Sequence, residues 1–224
     1  VRAVLLEPTA VAVHAVLRRP AVPGERVLVV GAGSIGLLTV AALAALCPGA
    51  EVHCVARHAF QAERAASMGA RPHLGGKGLY PRLAAATGAR YLRGLFGTSF
   101  LLGGFDQVID TVGTAASLAG SLRWVKAGGR VLAVGASFRR LRIDLTPLWY
   151  QEVELLGVDS HAVEADGRTT FDIAAELLAD SAFPVDGLVT HRFRMDDWPQ
   201  AVRAFTDKRS SGAVKIVLEH RAAL

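Results

Sequence analysis

From Val27 onward, short β-branched runs alternate with Ala/Leu-rich stretches of helical period: "RVLVVG", "SIGLLTVAALAAL", "EVHCVA", "FQAERAASMG", "FDQVIDTVG", "TAASLAGSLRWV" and "GGRVLAVG". The strand runs are almost continuously apolar rather than alternating, and a helical stretch separates each from the next. That pattern predicts a parallel sheet with both faces covered, an α/β doubly wound fold. A further strand is read at "EVELLGV", 152–158.

Between 75 and 104 the rhythm weakens. The stretch "PRLAAATGARYLRGLFGTSFLLGG" predicts one short helix followed by an irregular, Gly-punctuated insertion at 89–104. After Val158 a polar turn, "HAVEADGRTT", precedes a helix at about 171–179, a strand "LVTHRFRM", a helix "DDWPQAVRAFTDK" and a final strand "AVKIVLE". Asp196 and Asp197 are expected to cap that helix, and Pro199 is compatible with it only in the first turn.

Residues 27–50 carry no charge and could span a bilayer by length alone. Gly31, Gly33 and Gly36 interrupt that run, and β-branched Val27, Val29 and Val30 precede them, so strand, turn and helix are the reading and no membrane segment is expected. The formal charge of +5 is spread along the chain with acids between the arginines, which does not make a nucleic-acid surface. The two cysteines, Cys47 and Cys54, form no CxxC or CxxH motif and are expected as buried free thiols. That usage fits a reducing cytoplasm, and no signal peptide is visible in a chain that lacks an initiator methionine.

The candidate chemistry lies in "GAGSIG", Gly31 to Gly36, placed between a predicted strand and a predicted helix. Gly31 suits the tight turn, Gly33 lets backbone amides approach a pyrophosphate, and Gly36 allows close helix–strand packing; Ser34 and Ile35 open the helix whose N-terminus faces the phosphates. A preference for the unphosphorylated cofactor would place Asp or Glu about 20 residues on. That position holds Ala56, followed by Arg57 and His58. A guanidinium can pair with a ribose 2′-phosphate where a carboxylate would repel it, so NADP is favoured and NAD is the alternative.

The ordered set "EPTAVAVHAV", "GERVLVVGAGSIGLL", "RAASMGA", "FDQVIDTVG", "WVKAGGRVLAVG", "LLGVDSH", "VTHRF" and "SGAVKIVL" resembles the medium-chain dehydrogenase/reductase family, in particular its zinc-type alcohol, polyol and threonine dehydrogenases. The resemblance implies a Rossmann domain at 16–162, the end of an N-terminal catalytic domain at 1–15, and a C-terminal segment at 163–224 that returns to that catalytic domain, most of which would precede Val1. It implies that Val112, Gly113, Val134, Gly135 and Ala136 lie along the cofactor, that Val158 and Ser160 flank the nicotinamide, and that Lys215 meets the pyrophosphate. Glu7 matches a carboxylate that serves a catalytic zinc, directly or through water, in the full-length protein. No catalytic residue of the substrate side is assignable. The implied activity is hydride transfer between a small alcohol, aldehyde or ketone and NADP, in a homodimer or tetramer. The segments "GARYLRGLFGTSFLLGG" and "DLTPLWYQE" depart from the commonest family pattern.

Three other readings compete. A zinc-independent quinone or enoyl reductase of the same superfamily, and a non-catalytic dinucleotide-binding fragment, both remain open. A methyltransferase also uses a glycine-rich first turn, but the apolar strand before Gly31 and the Ala56–Arg57 pair argue against it. Short-chain dehydrogenases are excluded, because none of Tyr80, Tyr91 or Tyr150 is followed four residues later by lysine. His14 and His191 read as surface or turn histidines, whereas His161 is placed near the nicotinamide.

Overall fold

A computed structural model describes residues 2–94 and 98–220. A 3-10 turn (Arg2–Leu5) leads into α1 (Leu6–Leu17), β1 (Arg26–Val30), α2 (Ser34–Leu46), β2 (Glu51–Ala56), α3 (Ala59–Ser67), β3 (Arg71–Leu74) and α4 (Leu79–Thr87). There follow β4 (Arg90–Arg93), β5 (Ser99–Leu102), β6 (Phe105–Asp110), α5 (Ala115–Trp124), β7 (Val125–Ala133), α6 (Thr146–Tyr150) and β8 (Glu154–Gly157). The rest comprises α7 (Thr170–Ala179), β9 (Val189–Arg194), a 3-10 turn (Met195–Asp197), α8 (Trp198–Thr206), α9 (Lys208–Ser211) and β10 (Lys215–Glu219).

Six strands form one sheet in the order β3-β2-β1-β6-β7-β8, every pair parallel. The apolar runs of the sequence follow from its two covered faces. On β1, Val27 and Val29 point into a core shared with α1, α2 and α7, while Leu28 and Val30 enter a second core with α4 and α5. The strand order reverses at β1, with β2 on one side and β6 on the other, which opens a crevice at the carboxyl ends of these strands. No helix among the described residues is long and apolar enough to cross a membrane.

Several elements depart from the sequence expectation. The 89–104 insertion is not irregular: β4 and β5 pair as an antiparallel hairpin that buries Leu101, with residues 95–97 of its connection outside the described residues. The edge strand β3, "RPHL", carries no apolar run because most of it is exposed, and Pro72 is tolerated at the edge of the sheet. The strand expected from Glu152 begins only at Glu154, since Glu152 takes a left-handed φ of 53° in the preceding turn. It occupies the sheet edge.

The stretch "DDWPQAVRAFTDK" is not one helix. It divides into a 3-10 turn, α8 and α9, with Pro199 in the first turn of α8. Asp197 stands at the N-cap position without a side-chain cap bond, whereas Asp207 accepts from the Ser210 N–H at 3.3 Å and starts α9. The tail strands β9 and β10 form a separate parallel pair. Phe183, Val185, Leu188 and Val214 from this tail pack in the same core as Val27 and Val29.

His14 is not a surface residue. Its Nδ1 lies 2.7 Å from Glu164 Oε1, both side chains largely buried, which ties α1 to the segment after β8. Cys47 and Cys54 are buried and unbridged, as expected.

Candidate functional site

The crevice at the strand ends is a cleft of about 960 Å³. Gly31, Gly33, Ser34, Ile35 and Gly36 form its floor between β1 and α2. Gly31 has φ of +99°, and a Cβ there would sit 2.7 Å from Val112 Cγ2. A Cβ on Gly36 would come 1.9 Å from the Gly31 carbonyl oxygen, so only glycine lets α2 approach the turn this closely. Gly33 differs: a Cβ there would meet nothing within 4 Å, so the space above it is open. Gly33 is also the N-cap of α2 and no side chain caps that helix, which leaves its first-turn N–H groups for an external acceptor.

The second wall is the end of β2, where Ala56 is fully buried and Arg57 and His58 line the cleft. Gln61 holds this corner by accepting from the His58 N–H at 3.2 Å. Beyond it stand Gly75 and Gly76, after β3. The third wall is Thr111 and Val112, where the Thr111 hydroxyl donates to the Val30 carbonyl at 2.8 Å. Asp110, fully buried, shapes this turn: its Oδ1 accepts from the N–H groups of Val112 at 2.8 Å and Gly113 at 3.0 Å.

The fourth wall comes from the far end of the chain. Phe205, Thr206, Asp207, Lys208, Arg209 and Val214 overhang the glycine turn, and the Ser34 hydroxyl donates to the Val214 carbonyl at 2.9 Å. Sequence reasoning did not reach these residues. Reading Asp207 as the cap of a new helix would have broken the predicted long helix there, but no local pattern tells which distant turn that break faces.

The remaining expected residues do not line this cleft. Gly113 and Gly135 pack main chain to main chain, and a Cβ on either would lie 2.3 Å from the other's backbone. Val134 and Gly135 both donate to the Asp110 carbonyl at 2.9 Å, with Ala136 next in the chain, so this group continues the row of strand ends past β6. Val158 donates to the Ala133 carbonyl at 3.0 Å, and the Ser160 N–H donates to the Asp159 carboxylate at 2.7 Å. Lys215 follows Val214 at the start of β10. His161 packs its ring 5.0 Å from Phe171. Under the floor, Cys54 lies with its thiol 3.8 Å from the Gly31 carbonyl, and burial pushes its pKa up to about 12, which removes it as a nucleophile.

Glu7 is exposed in the first turn of α1. Among the described residues no three His, Cys, Asp or Glu side chains gather where a metal ion could be held. The described residues do not by themselves make up a metal centre, and no metal-dependent step is assigned to them.

The six-stranded order, the glycine turn and the uncapped helix define a Rossmann-type α/β domain. The chain belongs to the zinc-binding dehydrogenase family, whose sequence pattern matches residues 34–180, and within it to the zinc-type medium-chain dehydrogenases. It is 31% identical over 222 residues to the L-arabinitol 4-dehydrogenase of Aureobasidium melanogenum, covering 96% of this chain and 55% of that protein. Sorbitol dehydrogenase of Gallus gallus is 29% identical over 217 residues, with the same two shares. The chain thus spans about half the length of the curated relatives it matches. Among solved structures, a zinc-binding dehydrogenase from Sinorhizobium meliloti 1021 bound to NADP superposes with a TM-score of 0.73 at 25% identity, covering 98% of this chain and 59% of that one. An alcohol dehydrogenase from E. coli CFT073 complexed with NADH has a TM-score of 0.76 at 19% identity, covering 96% and 58%, and shares the fold.

Proposed function

We propose that this chain binds NADP in the cleft above Gly31–Gly36 and forms the cofactor-binding part of an oxidoreductase that moves a hydride between a small alcohol and the corresponding aldehyde or ketone. The observation that carries the reading is the end of β2: Ala56 offers no carboxylate to a ribose hydroxyl, and Arg57 lines the cleft beside the uncapped α2. The cleft fits a dinucleotide. Its volume lies in the range of ligand sites, and the open space at Gly33 lets a phosphate approach the backbone.

In this reading the N–H groups of Ser34, Ile35 and Gly36 receive the pyrophosphate, with Lys215 nearby, while Arg57 and His58 face the ribose 2′-phosphate. Val112, Gly113, Val134, Gly135 and Ala136 border the path along the strand ends toward Val158 and Ser160 at the nicotinamide end. The bound cofactor supplies the hydride acceptor, or the donor in its reduced form. The names of the polyol relatives favour a polyol as the alcohol. Glu7 is assigned to a zinc site whose other ligands the described residues do not supply.

Titration with NADPH and NADH, followed by nicotinamide fluorescence, tests the reading. A guanidinium–phosphate pair contributes about 1.5–3 kcal/mol, so NADPH should bind roughly 10- to 100-fold tighter than NADH. Arg57→Ala should remove most of that preference. Equal binding of the two cofactors, or an unchanged preference in Arg57→Ala, would contradict it.

A further inference from the structure

Arg57 and the pair Lys208 and Arg209 lie about 150 residues apart in the chain yet line one cleft. Among the described residues none of the three has a carboxylate within ion-pair distance. Elsewhere the molecule pairs cations that the fold brings inward: Arg130 with Glu25 at 2.7 Å, Arg123 with Asp144 at 2.6 Å. The cleft's own acid, Asp207, is engaged in capping α9. Three cations collected around an open space with one carboxylate among them leave an excess of positive charge that an entering anion would offset.

Lys208 is the least ordinary of the three. It is half-buried, its Nζ stands 4.6 Å over the Phe205 ring, and burial lowers its pKa. A partly desolvated ammonium with no carboxylate beside it is costly, and a bound phosphate would offset that cost. The pyrophosphate already has the glycine turn and the uncapped N-terminus of α2. The extra positive charge therefore matches a second, separate phosphate group.

We propose that Lys208, with Arg209 beside it, closes over the 2′-phosphate of the dinucleotide from the side opposite Arg57, so that α9 and the end of β2 grip one phosphate between them. This rests on the NADP reading above, and it adds a specificity determinant contributed by the last helix of the chain. It follows that cofactor choice depends on how α8 and α9 sit over the sheet.

NADPH and NADH titrations of the wild-type protein, Lys208→Met and Lys208→Arg test the proposal, with thermal melts to show that each variant folds. Lys208→Met should weaken NADPH about tenfold and NADH less than twofold, and Lys208→Arg should retain most of the NADPH affinity. Lys208→Gln, which keeps a polar chain over Phe205, replaces Lys208→Met if the latter does not fold. An equal loss for both cofactors, or no loss for NADPH while the wild type still prefers it, overturns the role of Lys208 and leaves the NADP reading standing. A wild type without preference for NADPH overturns both.

Discussion

Gly33 and Gly36 lie three residues apart in one turn and answer to different forces. At Gly36 a methyl group would collide with the Gly31 carbonyl, so Gly36→Ala has to push α2 away from β1. Overpacking of this kind costs about 1–3 kcal/mol, and in a chain of this size each kcal/mol lowers Tm by roughly 2–4 °C. At Gly33 the backbone is extended, with φ −82° and ψ −169°, and the space is open, so Gly33→Ala should leave Tm within about 1 °C and weaken the dinucleotide instead. Melting curves and cofactor titration of the two variants check the contrast, and a stability loss at Gly33 equal to that at Gly36 would contradict it. The motif was legible because its geometry is local: a strand, three glycines and a helix within one stretch. Lys208 and Arg209 were not, because their place depends on the β9–β10 pair and on the Ser34–Val214 bond, both products of tertiary packing.

At the level of elements, β2 and β3 are joined by more than their ladder. His53, fully buried on β2, stacks on His73 of β3 with ring centroids 5.2 Å apart and Nδ1 2.9 Å from Nε2. Burial, then the neighbouring His53, then Arg82 lower the His73 pKa to about 4, and burial lowers that of His53 as well. The folded value for His73 lies below the unfolded one of about 6.5, so protons bind preferentially to the unfolded chain. Stability should be fully present above about pH 6.5 and decline as the pH falls toward 4. Melting temperatures across pH 4–7 should fall less steeply in His73→Gln, and parallel slopes would show that the pair does not titrate with unfolding.

The strand at the other edge invites a partner. Leu155 on β8 is exposed there, as is Trp149 on the preceding helix, and a bare edge pairs readily with a second copy. Sedimentation velocity should find a dimer that Leu155→Lys shifts to monomer; a wild-type monomer at high concentration would contradict this. The edges were the least readable part of the sheet. β8 retained an apolar pattern, while β3, largely exposed, gave "RPHL" no periodicity to read, and the β4–β5 hairpin was masked by the short length of its strands.

Over the whole molecule, the central parallel strands were the easiest to foresee, because burial on both faces writes itself into the sequence as unbroken apolar runs. The relation of the tail to the sheet was not. α8 and α9 close the cleft from above while Trp198 and Val202, one turn apart on α8, stay exposed. We propose that this apolar face belongs with a catalytic part of the protein, as residues 163–224 do in the family resemblance. In the proposed function, the described residues hold the dinucleotide between the glycine turn, the end of β2 and α9. Hydrogen–deuterium exchange of the protein with and without saturating NADPH measures this directly. Slowed exchange should concentrate in three separated segments: Gly31 to Gly36, Arg57 with His58, and Thr206 to Arg209. Unchanged exchange in all three, or protection confined to surfaces away from the strand ends, would contradict the assignment of this cleft as the cofactor site.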